Sequence, residues 1–149
     1  MTRLRRLVRS RAWLFAVAFG LFAYLFHKVG SAMGYYPRFF WFQMAAHFLS
    51  ATAMALLLAR AGLDGGLRGR ALVAFVLGFS ALGAVGWEVV EYLGVFPSLH
   101  WWGLDDSLLD LCMDTLGVAT VLSLLGTRVR PVINPTLETP LPGRPRRGH

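Results

Sequence analysis

The chain has 149 residues, of which 56% are hydrophobic and 15% charged, and its formal net charge is +7. A soluble domain carries charge on about a quarter of its residues, so this composition, with its apolar residues in long blocks, excludes an ordinary water-soluble domain. A single cysteine, Cys112, excludes an internal disulfide and a thiolate metal cluster.

Four apolar blocks reach the roughly 17–25 residues that a membrane span requires. The first, 12–29, follows a basic segment, 1–11, with Arg3, Arg5, Arg6, Arg9 and Arg11. A basic stretch before an apolar one also describes a signal peptide. This block is at the long end for that and closes on His27 and Lys28, so a retained helix is expected. "GSAMGYYPR" then makes a short outer turn, because Pro37 cannot continue a helix. The second span, 39–59, leads into an inner loop, "RAGLDGGLRGR", with Arg60, Arg68 and Arg70.

The third span, 71–94, is rich in small residues (Gly78, Ser80, Ala81, Gly83, Ala84, Gly86) that allow neighbouring helices a close approach. An outer loop holds Pro97, His100 and the Trp101–Trp102 pair. With Tyr35, Tyr36, Trp41 and Tyr92 these tryptophans form an outer aromatic belt, and Trp13 suits the inner interface. The fourth span, 107–126, carries Cys112 as a small packing residue. Residues 127–149 hold five of the seven prolines and read as a disordered, arginine-rich tail.

Thirteen of the fifteen basic residues fall on one side of these spans; only Lys28 and Arg38 lie on the other. Positive loops stay cytoplasmic, which predicts both termini inside a cell membrane. The same distribution accounts for the net charge by topology and contact with anionic lipid, not by nucleic acid. The expected fold is all-α: an integral membrane four-helix bundle.

Six of the eight acids lie in two short stretches, "WEVVEYLG" and "DDSLLDLCMD". Glu88 and Glu91 are one turn apart on the third span. Asp106, Asp110 and Asp114 follow at four-residue steps that share one helix face. At 1.5 Å per residue Glu88 lies about 9 Å in from the outer end of its span, and Asp114 about 12 Å below Asp106. His47, eight residues into the second span, reaches a similar depth, and Gln43, His47 and Ser50 form a polar row there.

The cost of these acids is substantial. Asp110 and Asp114 at full depth cost roughly 5–7 kcal/mol of insertion energy. The seven leucines and two valines of 107–126 return only about 3–5 kcal/mol on the same scale. Hydrogen bonds, protonation, a wet cavity or a bound cation must make up the difference. Carboxylates with one imidazole suit a hard divalent cation (Mg, Mn or Ca), so His47, Glu88, Glu91, Asp106, Asp110 and Asp114 are the candidate ligands. The bland alternative is that the acids hydrogen-bond between helices. Asp105 and His100 fall in the outer loop, where solvation is expected, with His100 a candidate for a site rim.

The run from Asp106 to Gly117, "DSLLDLCMDTLG", resembles the "DT..DL..DT.GA" signature of the YjdF-like family of small membrane proteins. Trp87-Glu88 with Glu91 resembles that family's "WE..E" element, and His47-Phe48 its "HF". Ser107 stands where Thr is common. The end of the run is more distantly similar to VanZ-type proteins. Covering residues 39–126, this resemblance implies a membrane protein with its site at these acids and implies no particular reaction.

Three functions fit. A cation site acting on a lipid or envelope phosphate would use the metal to polarise a phosphoryl oxygen, with His47 or Glu88 as base. An ion- or proton-coupled carrier would use the acids as relays, for which a homo-oligomer is expected. A non-catalytic membrane subunit would use them only for packing. The partners expected in every case are membrane lipids.

Overall fold

The computed structural model describes residues 3–94 and 103–133, with side chains described from 10 to 126. It contains four helices: α1 (Arg3–Ala32), α2 (Phe40–Asp64), α3 (Gly69–Tyr92) and α4 (Leu104–Ile133). Each has a stretch long and apolar enough to cross a membrane, and no strand occurs among the described residues. The fourth helix runs beyond the expected span end at 126 to Ile133, so the first part of the expected disordered tail is helical. His100 and the Trp101–Trp102 pair lie outside the described residues, as do 134–149.

Partitioning is inverted relative to a soluble protein. Large apolar side chains such as Leu14, Phe15, Leu82, Val85, Leu108 and Leu124 are exposed. Gln43, Thr52, Ser80, Ser107 and Asp110 are buried. In water that arrangement wastes the hydrophobic effect; in lipid it is the expected one, since hydrocarbon solvates leucine and not carboxylate.

Two glycines turn the chain. Beyond α1, Gly34 takes φ 62°; the Tyr35 N–H donates to the Gly30 carbonyl at 2.9 Å and the Gly34 N–H to the Ser31 carbonyl at 3.2 Å. Beyond α2, Gly66 at φ 89° repeats the pattern, with Leu67 bonded to Gly62 and Gly66 to Leu63. This left-handed closure satisfies carbonyls that would otherwise be orphaned at the helix end, and glycine adopts it without a Cβ clash.

The second helix is the hub of the bundle: it packs against α1, α3 and α4, whereas α1 packs closely only on α2. The α1 contact follows a three-four alternation through Trp13, Ala16, Gly20, Ala23, His27 and Gly30, all buried or half-buried. That period generates a left-handed seam, and its small residues bring the two backbones close. Gly30 lies directly against the Phe42 ring, which also stacks on Phe26 at 4.3 Å between centroids. At the other end of this seam the Trp13 Nε1 donates to Asp64 at 2.6 Å, and Asp64 also pairs with Arg60 one turn earlier.

Of the small residues of α3, Ser80 is buried and Ala84 half-buried, but the glycines make no close approach. A Cβ on Gly78, Gly83 or Gly86 would meet open space, because α3 has only α2 and α4 as close neighbours and turns these residues outward. The tight contact is instead at Gly117 on α4. There a Cβ would lie 2.6 Å from the Phe48 carbonyl oxygen and 2.9 Å from the Thr52 Oγ1. Cys112 likewise faces out of the bundle rather than packing within it. Beyond Gly117 the half of the bundle away from the acids is filled by Ala55, Ala59, Leu72, Val76, Val118 and Val121.

Candidate intramembrane acidic site

Running in the same direction, α2 and α4 place their polar rows side by side. Gln43 donates from Nε2 to Asp106 at 2.8 Å and to Asp110 at 3.0 Å. One turn deeper, His47 sits between two aspartates: Nε2 is 3.3 Å from Asp110 and Nδ1 is 3.4 Å from Asp114. From the antiparallel α3, Glu88 completes a cluster in which one ligand atom each of His47, Glu88 and Asp110 lies within 4.8 Å of the others.

Burial makes the cluster unusual. Asp110 is 1% exposed, and its Oδ1 has no hydrogen-bond partner among the described residues. Both carboxylate oxygens of Glu88 are buried and equally without a partner. Buried polar atoms are nearly always satisfied, and leaving one unmet costs about 1–3 kcal/mol, more for a charged group. Glu88 and Asp110 therefore bring buried carboxylate oxygens without a hydrogen-bond partner to the same cluster as the His47 imidazole.

Of the six expected ligands, the structure brings three together. Asp114 meets His47 at Nδ1, the nitrogen opposite the one that faces Asp110, and Asp106 is one step removed, on Gln43. Glu91 is outside the three-ligand cluster. It is half-buried, one turn beyond Trp87 on α3. Asp105 is exposed in the first turn of α4, where a carboxylate complements the helix dipole. Ser50 leaves the expected polar row. From His47 the α2 contact seam turns to Thr52, Ala55 and Ala59, and Ser50 is exposed.

The sequence reading missed one layer. His27, at the polar end on which the first span was expected to close, is half-buried, with its Nδ1 2.6 Å from the Tyr36 hydroxyl. Its ring also meets the edge of Trp87 at 6.3 Å between centroids. The turn at Gly34 swings Tyr36 inward from the expected aromatic belt. Burial first, then the nearby Glu91 and Asp110 carboxylates, pushes the Tyr36 phenol well above its ordinary pKa. The available signal was the position of His27 on the α1 seam, seven residues after Gly20 and three before Gly30 on the same face.

Compared with family models, with curated proteins and with solved structures, the chain matches none.

Proposed function

We propose that this is a multi-pass membrane protein that holds a divalent cation in the outer half of the membrane, with His47, Glu88 and Asp110 as ligands. The observation that carries the reading is that one ligand atom each of His47, Glu88 and Asp110 lies within 4.8 Å of the others, in a cluster where both Glu88 oxygens and the Asp110 Oδ1 are buried without a hydrogen-bond partner. Ligands on one ion are at most two bond lengths apart, about 4.2 Å for Mg and 4.6–5.2 Å for Ca. A spread within 4.8 Å therefore needs a closure of a few tenths of an ångström for the smaller ion. Asp114 on Nδ1 fixes the tautomer that leaves Nε2 for the metal, a carboxylate–histidine–metal arrangement, and Gln43 steadies Asp110.

The arginine distribution supports cytoplasmic termini and therefore a site nearer the outer surface. A cation so placed can polarise a phosphoryl oxygen of a lipid or envelope phosphate. The resemblance of these same residues to the YjdF-like signature agrees with the location. The carrier reading has less support: residues 51–59, 71–87 and 115–126 contain no acidic or basic side chain, and the apolar core fills that inner half.

The test is thermal unfolding of purified protein in detergent with EDTA and then with Mg, Mn, Ca or Zn. A cation at a hundred times its dissociation constant stabilises by about 2.7 kcal/mol. The expected result is stabilisation in the wild type that Asp110→Asn and Glu88→Gln both lose. No shift with any cation overturns the reading.

A further inference from the structure

Of the helix pairs in contact, α3 and α4 pack most sparsely, and there the acid-bearing half opens sideways into a groove of about 430 Å³. That is within the size range of ligand pockets. Its walls are Val85, Val89, Tyr92, Leu104, Leu108 and Leu111. Glu88 and Ser107 are the polar exceptions. Val85, Val89, Leu104 and Leu108 are each about half exposed or more on the surface that faces lipid. A water-soluble ligand would meet almost no polar wall here, whereas a hydrocarbon chain is matched along its length.

Glu88 stands between the groove and the cluster, its apolar stem toward the groove and its oxygens buried behind it. It lines the groove, and its two buried, unpartnered oxygens belong to the same residue that meets His47 and Asp110. On the other flanks the cluster is enclosed: α2 and its aromatic contacts with α1 cover one side, and the apolar core fills the half away from the acids.

We propose that the groove between α3 and α4 seats the acyl chain of a membrane phospholipid and delivers its anionic phosphate to the cation held by His47, Glu88 and Asp110. This rests on the cation reading, because a phosphate cannot approach two carboxylates without an intervening positive charge. The substrate or ligand class is therefore a long-chain lipid phosphate that enters from the bilayer, not a soluble phosphate that enters from water.

The probe is phosphatidylglycerol with a photoactivatable diazirine on its acyl chain, added to the full-length protein in neutral detergent with Mn²⁺ or EDTA. Crosslinked residues are mapped by mass spectrometry. The expected pattern is labelling concentrated on residues 85–92 and 104–111, dependent on Mn²⁺. Unlabelled phosphatidylglycerol should compete and glycerol 3-phosphate should not. Val85→Trp and Leu108→Trp, each at an exposed position, should cut groove labelling by about tenfold by filling the apolar volume. Both should retain the cation-dependent thermal shift.

Labelling spread evenly around the four helices, or unchanged in the tryptophan variants, overturns the groove assignment while the cation reading stands. Competition by glycerol 3-phosphate points to a soluble anion and overturns the lipid. Groove labelling equal or stronger in EDTA means a head group that ignores or competes with the cation, which also overturns the proposal. A missing thermal shift in the wild type fails the cation reading itself, and the proposal falls with it.

Discussion

His47 on α2 and Asp110 on α4 meet at 3.3 Å, in the half of the bundle where the two helices exchange most of their polar contacts. Asp110 is almost fully buried there, so the pair fixes the register of two parallel helices. Removing the imidazole leaves that carboxylate with Gln43 alone. His47→Ala should lower stability by about 1–3 kcal/mol and abolish the cation-dependent shift, whereas Gln43→Ala should lower stability while preserving that shift in part. Chemical denaturation in detergent, with and without Mn²⁺, reads both.

Gly117 makes a sharper packing test. A Cβ there would overlap the Phe48 carbonyl and Thr52, both on α2, so backbone must yield. Gly117→Ala should destabilise by about 1–3 kcal/mol through overpacking. Gly78→Ala, in open space, should be neutral or stabilising by up to about 1 kcal/mol from helix propensity alone. Thermal melts of the two variants side by side decide the matter.

Tyr36 offers a pH readout outside the spans. Its raised pKa means that the folded protein keeps the phenolic proton where the unfolded chain loses it. The stability this contributes is complete below about pH 10, the unfolded value, and is lost as the pH rises beyond it toward the folded pKa. Ultraviolet titration should show one of the four tyrosines ionising late, a delayed step absent from Tyr36→Phe. That variant should also cost about 0.5–1.5 kcal/mol near neutral pH, because His27 loses its hydrogen bond.

The bond from Trp13 to Asp64 ties the first helix to the C-terminal end of the second. Since α1 packs closely on α2 alone, this contact and the small-residue seam hold it in place. Trp13→Phe removes the donor but keeps the ring's apolar body. A loss of about 1.5–3 kcal/mol is expected, the range for a hydrogen bond to a charged group. Faster limited proteolysis between α1 and α2 would accompany it; an unchanged digestion rate and melt would show that the seam suffices alone.

Much of this protein is legible in its sequence because lipid imposes severe local rules. Four apolar blocks of spanning length required four helices, since a backbone in hydrocarbon must satisfy its own hydrogen bonds. The four-residue spacing of Asp106, Asp110 and Asp114, and the Glu88–Glu91 pair, placed acids on helix faces at matching depth. What spacing could not supply was which faces meet. Three helices can be arranged around a hub in several ways with the same periodicities, and only side-chain fit selects among them. Tertiary packing decided that Glu88 and not Glu91 joins His47 and Asp110, and that Asp114 meets the histidine at its other nitrogen. It also turned Ser50 outward, and drew His27 and Tyr36 into the site through a glycine-closed turn. The glycines of α3 were equally readable and face outward, whereas Ser80 of the same set is buried. A glycine permits close approach, but only a neighbouring helix in the right place makes use of it.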